Sequence, residues 1–286
     1  MARCEVCFRH CEIGEGRTGF CGARTCTDGA VVAANYGRIT SLALDPVEKK
    51  PLRRFYPGSY ILSVGSYGCN LRCPFCQNYE ISWSKEAERF AQTAEVISPE
   101  ELAQTAAHYR DRGNIGVAFT YNEPLIGYEY IRDTAKLVKG LGMKTAIVTN
   151  GTAALSVLEE LAPYIDAMNI DLKGFTDRYY QEVLQGDRRM VMDFIARAVQ
   201  VCHVELTTLV IPGENDTEAE LEDLSRWVSG LPDEKGEVIG RNVPLHISRF
   251  FPRFLMQDRA ATDVRLIYHL ADIAKKHLSY VYTGNC

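Results

Sequence analysis

Beyond about residue 55, short apolar runs rich in β-branched residues alternate with longer stretches whose apolar positions recur at helical spacing. The short runs predict strands at Tyr60–Val64, Gly116–Thr120, Lys144–Thr149, Ala167–Leu172, Val204–Ile211, Val243–Ser248 and Leu278–Tyr282. The amphipathic stretches predict helices at Pro99–Arg112, Tyr128–Gly140, Ala154–Leu161, Asp193–Gln200, Glu218–Ser229 and Thr262–Lys276. Start signals agree with several of these. Ser98 can cap a helix that has Pro99 in its first turn, and Asp216 and Thr217 precede an acidic first turn. Strands alternating with helices imply parallel pairing through right-handed crossovers, and six or seven units suit a complete or partial barrel. An open doubly wound sheet would give the same alternation, so periodicity alone leaves closure undecided.

The first 50 residues break the pattern. They carry little helical periodicity, many glycines and a hairpin expected from Ala30–Asn35 and Arg38–Leu44, turning near Tyr36 and Gly37. A segment this short buries little core and ordinarily needs a metal or a cross-link. Two domains are therefore expected: a cysteine-rich metal-binding module with a hairpin over 1–55, and an α/β barrel over 56–286.

With 46% apolar and 24% charged residues the chain can fill a core. A net charge of −5 argues against general nucleic-acid binding. There is no run of 18 apolar residues, and the charged, cysteine-bearing start lacks the apolar core of a signal peptide, so no membrane span and a cytoplasmic location are expected.

Ten cysteines change the picture more than charge does. Cys4, Cys7, Cys11, Cys21 and Cys26 crowd the start, and Cys69, Cys73 and Cys76 form a second group. Clustered thiols in a chain without an export signal read as metal ligands or redox groups, and two clusters imply two sites. The second group directly follows the first predicted strand, at the barrel face where active sites sit. Three thiolates could hold a [4Fe–4S] cluster with one iron left open; structural zinc wants four ligands and the nearest histidines in sequence, His10 and His108, are remote, so zinc needs the fold to bring one close, and thiols that merely pack are the third reading. At the front, Cys4, Cys7, Cys11 and Cys21 supply four ligands, enough for zinc or an auxiliary [4Fe–4S] cluster, with His10 and Cys26 as spare candidates; thiols without metal are the third reading.

The C-x3-C-x2-C spacing with Phe75 before its third cysteine resembles the signature of radical S-adenosylmethionine (SAM) enzymes. Longer stretches resemble the radical SAM enzymes of the AmmeMemoRadiSam system, relatives of the pyruvate formate-lyase activating enzymes. They are DPVEKKPL from Asp45, FYPGS from Phe55, SVGSYGC ending at Cys69, and Cys76-Gln77-Asn78. The resemblance runs from Cys4 to Asn285. It implies a partial (β/α)6 radical SAM barrel in which a [4Fe–4S] cluster on Cys69, Cys73 and Cys76 binds S-adenosylmethionine at its open iron. Reductive cleavage would then give methionine and a 5′-deoxyadenosyl radical that abstracts hydrogen from a substrate.

The same resemblance implies cofactor contacts at strand ends. Asn122 and Glu123, in FTYNEP, stand where the family's ammonium-binding segment lies, and Asn150 belongs to a similar Thr-Asn-Gly. Asp171 and Lys173 share one strand face by period-two alternation and match an Asp-x-Lys whose lysine meets the SAM carboxylate; a mutual ion pair is the plainer reading. His246 falls at a ribose-contacting position, and Arg249 is expected near the substrate mouth. Thr207 stands where glycyl-radical activators tend to carry arginine, which weakens the implication of such a partner. Implied partners are a flavodoxin or ferredoxin electron donor and AMMECR-type and Memo-type proteins. A glycyl-radical-enzyme activase and a non-catalytic metal-bound scaffold are the alternative functions. Relatives are expected to continue past a Gly-Asn like Gly284-Asn285 with a cysteine-bearing tail, which would make this chain a short form.

Overall fold

Seven parallel strands stand side by side in the order in which the chain makes them. They are β1 (Tyr60–Gly65), β2 (Asn114–Phe119), β3 (Lys144–Thr149), β4 (Ala167–Asp171), β5 (His203–Val210), β6 (Leu245–Arg249) and β7 (Val281–Gly284). The computed structural model describes residues 1–286, setting aside the side chain of Ala91. A doubly wound sheet reverses strand order at a switch point, and this sheet never does. Winding in one sense curls it into a barrel, and β7 pairs with β6 alone, so the barrel stays partial. An antiparallel strand, Ser41–Pro46, pairs with β1 from Ser41↔Gly65 to Pro46↔Tyr60 and forms the other edge.

Helices cover the outside. They are α1 (Pro99–His108), α2 (Tyr128–Gly140), α3 (Leu155–Leu161), α4 (Arg188–Val201), α5 (Glu218–Ser229) and α6 (Val264–Ala274). Strands between helices and barrel interior are buried on both faces, as β1 and β2 nearly are throughout. The sequence signals act as expected at α1, where Ser98 Oγ accepts from Glu101 N (3.1 Å) and Glu101 returns a bond to Ser98 N (2.8 Å). Helix α4 begins five residues before the predicted Asp193, because Asp187 caps it by accepting from Met190 N at 3.0 Å. Gly116 is required by close packing: a Cβ there would lie 1.7 Å from the Lys144 carbonyl oxygen.

The front hairpin is a correction. Ala30–Ala33 pairs backwards with Arg24–Thr27, while Arg38–Ile39 pairs with Glu95–Val96. The turn is Asp28-Gly29, both at positive φ (52° and 75°), the backbone that a two-residue hairpin favours. Glu15 reinforces it by accepting from Asp28 N and Gly29 N. Residues 41–55 pack with the barrel: Val47, Leu52 and Phe55 form a cluster with Ile61, Ala118, Ala146 and Ala167. The boundary expected at residue 55 thus has part of the barrel core on its amino-terminal side. Among the described residues no helix is long and apolar enough to cross a membrane.

Candidate functional site

The end of β1 delivers Ser66-Tyr67-Gly68 into the loop that carries Cys69, Cys73 and Cys76. This loop has little secondary structure of its own, so its polar backbone groups are satisfied by distant segments. Gly68 N donates to Ile81 O (2.8 Å), Cys69 N to Cys21 O (3.1 Å) and Arg72 N to Leu184 O (3.0 Å), while Pro74 O accepts from Leu255 N (2.9 Å). Gly68 sits at φ +93°, and a Cβ there would lie 2.7 Å from Cys21 O, so glycine is needed twice over.

All three thiols face one cleft of about 1020 Å³, its open mouth included. Cys73 is buried, and Cys69 and Cys76 are half-buried. Burial pushes the Cys73 thiol up to about 12 against the pull of Lys173. Burial and then the charge of Glu123 raise Cys69, and burial raises Cys76. Metal binding here must therefore displace protons. Two N–H groups reach the Cys69 sulfur, from Leu71 N at 3.5 Å and Asn150 Nδ2 at 3.8 Å; such bonds tune cluster potentials. Among the described residues no three His, Cys, Asp or Glu side chains converge on a single ion. Three soft sulfurs spaced around a roomy cleft fit a cluster, in which each cysteine binds its own iron.

Opposite the thiols lies the turn after β2. Tyr121 adopts φ +75°, rare for a side-chain-bearing residue, and its hydroxyl is anchored to Asp45 Oδ2 at 2.8 Å. Asn122 clamps the cysteine loop: its Nδ2 donates to Tyr67 O (3.2 Å) and Gly68 O (3.1 Å), and its Oδ1 accepts from Ser66 N (3.1 Å). Glu123 is buried and accepts from Thr149 Oγ1 (2.6 Å), Asn150 N (2.7 Å) and Leu125 N (3.0 Å). Burial outweighs those donors and lifts its carboxyl to about 7. Asn150 completes the link, donating to Asn70 Oδ1 at 2.9 Å and accepting from Thr152 N at 2.9 Å. Asn122, Glu123 and Asn150 all line the cleft, yet their side chains chiefly hold the loops around it.

At the end of β4, Lys173 Nζ meets Asp171 Oδ2 at 2.8 Å on the cleft wall, the mutual pair that alternation allowed. Burial opposes the lysine's charge, but Asp171 and Cys73 outweigh it and raise its pKa. The lysine is thus a fixed cation within the field of the thiols. Asn215, fully buried, holds this strand end by donating to Lys173 O (2.6 Å) and Leu209 O (2.8 Å). Phe75 is buried at the same wall.

His246 does not line the cleft; Ser248, two residues further along the same face of β6, does. One layer deeper, His246 Nε2 lies 2.7 Å from Glu205 Oε2, a fully buried carboxylate that also accepts from Arg53 N and Arg54 N and contacts His203 Nε2. Arg249 is committed to Thr262 O at 2.7 Å. Sequence reasoning overlooked Ser248, Asn78 and Asn285 at the cleft; the period-two rule applied one step beyond His246 would have found the first. Cys4, Cys7, Cys11 and Cys21 come together around a second, smaller pocket in the front module.

Comparisons with known proteins agree with this architecture. Residues 63–227 match the Radical SAM superfamily. The chain is 37% identical over 285 residues to the uncharacterized protein MJ0808 of Methanocaldococcus jannaschii, covering 99% of this chain and 81% of that one. It is 27% identical over 178 residues to the pyruvate formate-lyase-activating enzyme of Clostridium pasteurianum, covering 60% of this chain and 71% of that one. Among solved structures, Streptococcus suis SuiB bound to S-adenosylmethionine superposes with a TM-score of 0.58 at 14% identity, over 77% of this chain and 48% of SuiB. A domain of the pyruvate-formate lyase-activating enzyme from Bacteroides vulgatus superposes at 0.50 with 17% identity, over 59% of this chain and 98% of that domain. With the three cysteines of the loop after β1 facing a cleft at the strand ends, the chain belongs to the radical SAM superfamily.

Proposed function

We propose that this chain is a radical SAM enzyme whose cleft binds a [4Fe–4S] cluster through Cys69, Cys73 and Cys76 and S-adenosylmethionine beside it. The observation that carries the reading is the sharing of one cleft by three thiols and the Asp171–Lys173 pair. When bound, the two groups supply one-electron cleavage to a 5′-deoxyadenosyl radical that takes hydrogen from a substrate. Lys173 offers the SAM carboxylate a cation held in place by Asp171 and Asn215. The backbone oxygens around Asn122 and Glu123 would accept from the SAM ammonium, as the family resemblance implies, and Asn150 fixes the Cys69 loop. Ser248 and Thr207, on adjacent strands, offer hydroxyls to the ribose in place of His246.

A flavodoxin or ferredoxin supplies the electron in this reading, and the cytoplasm is its compartment, in keeping with ten free thiols. The substrate is handled with AMMECR-type and Memo-type proteins, a reading that rests on the long motifs around Asp45, Phe55 and Cys69. A second reading, activation of a glycyl-radical enzyme, is favoured by the names of relatives such as the putative glycyl-radical enzyme activating enzyme MJ1227 of M. jannaschii, 26% identical over 181 residues. Beside the radical site the front module would carry zinc or a second cluster.

Anaerobically reconstituted protein given SAM and dithionite is expected to release 5′-deoxyadenosine and methionine. Release no greater than that of Cys73→Ala defeats the proposal and leaves the non-catalytic scaffold. Deuterium passing from a labelled protein partner into deoxyadenosine selects activation of that protein; deuterium passing from a labelled metabolite selects small-molecule chemistry.

A further inference from the structure

The front module presents four cysteines to one pocket. A two-stranded pairing, Ala2↔Ile13 and Arg3↔Glu12, and the bond from Cys4 N to Cys11 O (2.9 Å) close the loop that carries Cys4, Cys7 and Cys11. Cys21 enters from the next loop. Cys4, Cys7 and Cys21 are buried, and Val6, Ile13 and Ile126 complete an apolar lining. The two spare candidates are engaged elsewhere. His10 Nδ1 lies 2.9 Å from Glu5 on the exposed side, and the Cys26 thiol faces Glu15 Oε2 at 3.5 Å. Four ligands remain, all of them sulfur.

The pocket left between them bears on the choice between the two metals that four cysteines admit. Zinc needs four sulfurs about 2.3 Å from one centre. Among the described residues no three such side chains converge on a single ion, although these four surround a common pocket. A cubane takes each cysteine on a different iron and holds the sulfurs further apart. The surroundings suit its negative charge. Arg9 lines the pocket and feels the thiols of Cys7, Cys11 and Cys21, while Arg24, also in the lining, is paired with Glu129.

The pocket also abuts the radical site. Cys69 N donates to Cys21 O at 3.1 Å, so a ligand of each group is joined by one backbone hydrogen bond. Asn70, next in sequence to Cys69, lies against the Cys7 thiol, and Arg9 Nε donates to Asn70 O at 2.8 Å. Arg9 thus stands within the field of cysteines from both groups, Cys69 included.

We infer that Cys4, Cys7, Cys11 and Cys21 hold a second [4Fe–4S] cluster that relays an electron into the cluster on Cys69, Cys73 and Cys76; the relay rests on the radical SAM reading, whereas the front cluster does not. One electron enters the front cluster from a reduced low-potential donor protein and leaves it for the radical cluster, with no proton or group transferred.

The test uses the full chain and a variant lacking the radical-site ligands, Cys69→Ala, Cys73→Ala and Cys76→Ala together, each reconstituted with ferrous iron and sulfide. The variant is expected to keep about four irons and no zinc per chain, against about eight irons for the unaltered chain. Its reduced form is expected to show a paramagnetic signal that SAM leaves unchanged. Zinc bound without iron in the variant, or four irons in the unaltered chain all sensitive to SAM, overturns the front cluster while leaving the radical site standing. The relay is read in Cys7→Ala with Cys21→Ala, reduced by flavodoxin in a stopped-flow instrument. The radical cluster is expected to keep its SAM-sensitive signal yet be reduced at least tenfold more slowly; an unchanged rate overturns the relay. Because metal content is also read on the unaltered chain, a variant that fails to fold does not shield the proposal.

Discussion

The Glu123 carboxylate accepts the Asn150 backbone N–H at 2.7 Å, tying the end of β2 to the end of β3 directly behind the Cys69 sulfur. Its two oxygens serve three donors, so the group cannot be exchanged for an amide without turning an NH2 toward one of them. Glu123→Gln is expected to destabilise the fold by about 1–3 kcal/mol, the range for a buried donor left unpaired, and to lower iron retention. Denaturant midpoints and iron content after gel filtration measure both. The carboxyl's elevated value, near 7 through burial, gives this group a sign. Its stabilising contribution is complete below about pH 4.5 and is lost as pH rises through about 7, so Glu123→Gln should flatten stability against pH in that window.

Among the described residues Lys173 is the one lysine or arginine in the cleft wall. Lys173→Ala is expected to weaken SAM binding about 10- to 100-fold, the loss of a charge-assisted hydrogen bond of about 1.5–3 kcal/mol. Isothermal titration on the reconstituted, oxidised protein measures it. Asp171→Asn, which keeps the shape but releases the lysine, is expected to lose less. Equal losses in the two variants would indicate that the pair acts as a structural unit only.

Glu205 carries the acid sensitivity of the barrel interior. Burial works against its charge, but bonds from His203, His246 and the Arg54 amide prevail and hold its carboxyl at about 2. A depressed value means stability present above about pH 4.5 and lost as pH falls toward 2, about 3 kcal/mol in all. The unfolding free energy measured by circular dichroism should fall steeply between pH 5 and 2 for the unaltered chain and gently for Glu205→Gln, which begins less stable.

Gly68→Ala tests the seam between front module and barrel. The new methyl would meet Cys21 O at 2.7 Å and Ala23 Cβ at 2.8 Å from a backbone at φ +93°. A cost of about 3 kcal/mol is expected from strain and overpacking together. Fluorescence-detected urea unfolding reads the cost, and a wild-type midpoint would mean that the seam yields freely.

Much of the barrel could be read from local chemistry. Ser98 and Glu101 announce the start of α1, and the alternation that puts Asp171 and Lys173 on one face needs no tertiary information. Closure could not be read that way, because strand order is a matter of pairing rather than period. The front hairpin departs from the expected one for a local reason, since Asp28-Gly29 is a stronger turn than Tyr36-Gly37. That Glu205 engages His246 could not be read locally, because the two lie 41 residues apart. The seam was hidden altogether: Arg24 meets Glu129 at 2.7 Å across 105 residues, a distance no motif spans.

That seam makes the molecule a single mechanical object. Val6 O receives Ala154 N, Arg9 reaches Asn70 O and Gln185 O, Cys21 O receives Cys69 N, and Asn35 donates to Tyr67 O. Each of these stitches ends on a rim loop, so detaching the first forty residues would unpin the mouth of the barrel along several loops at once. A protease that nicks the front segment should therefore silence the chain as surely as one that cuts the barrel, and heating should melt both parts in one step.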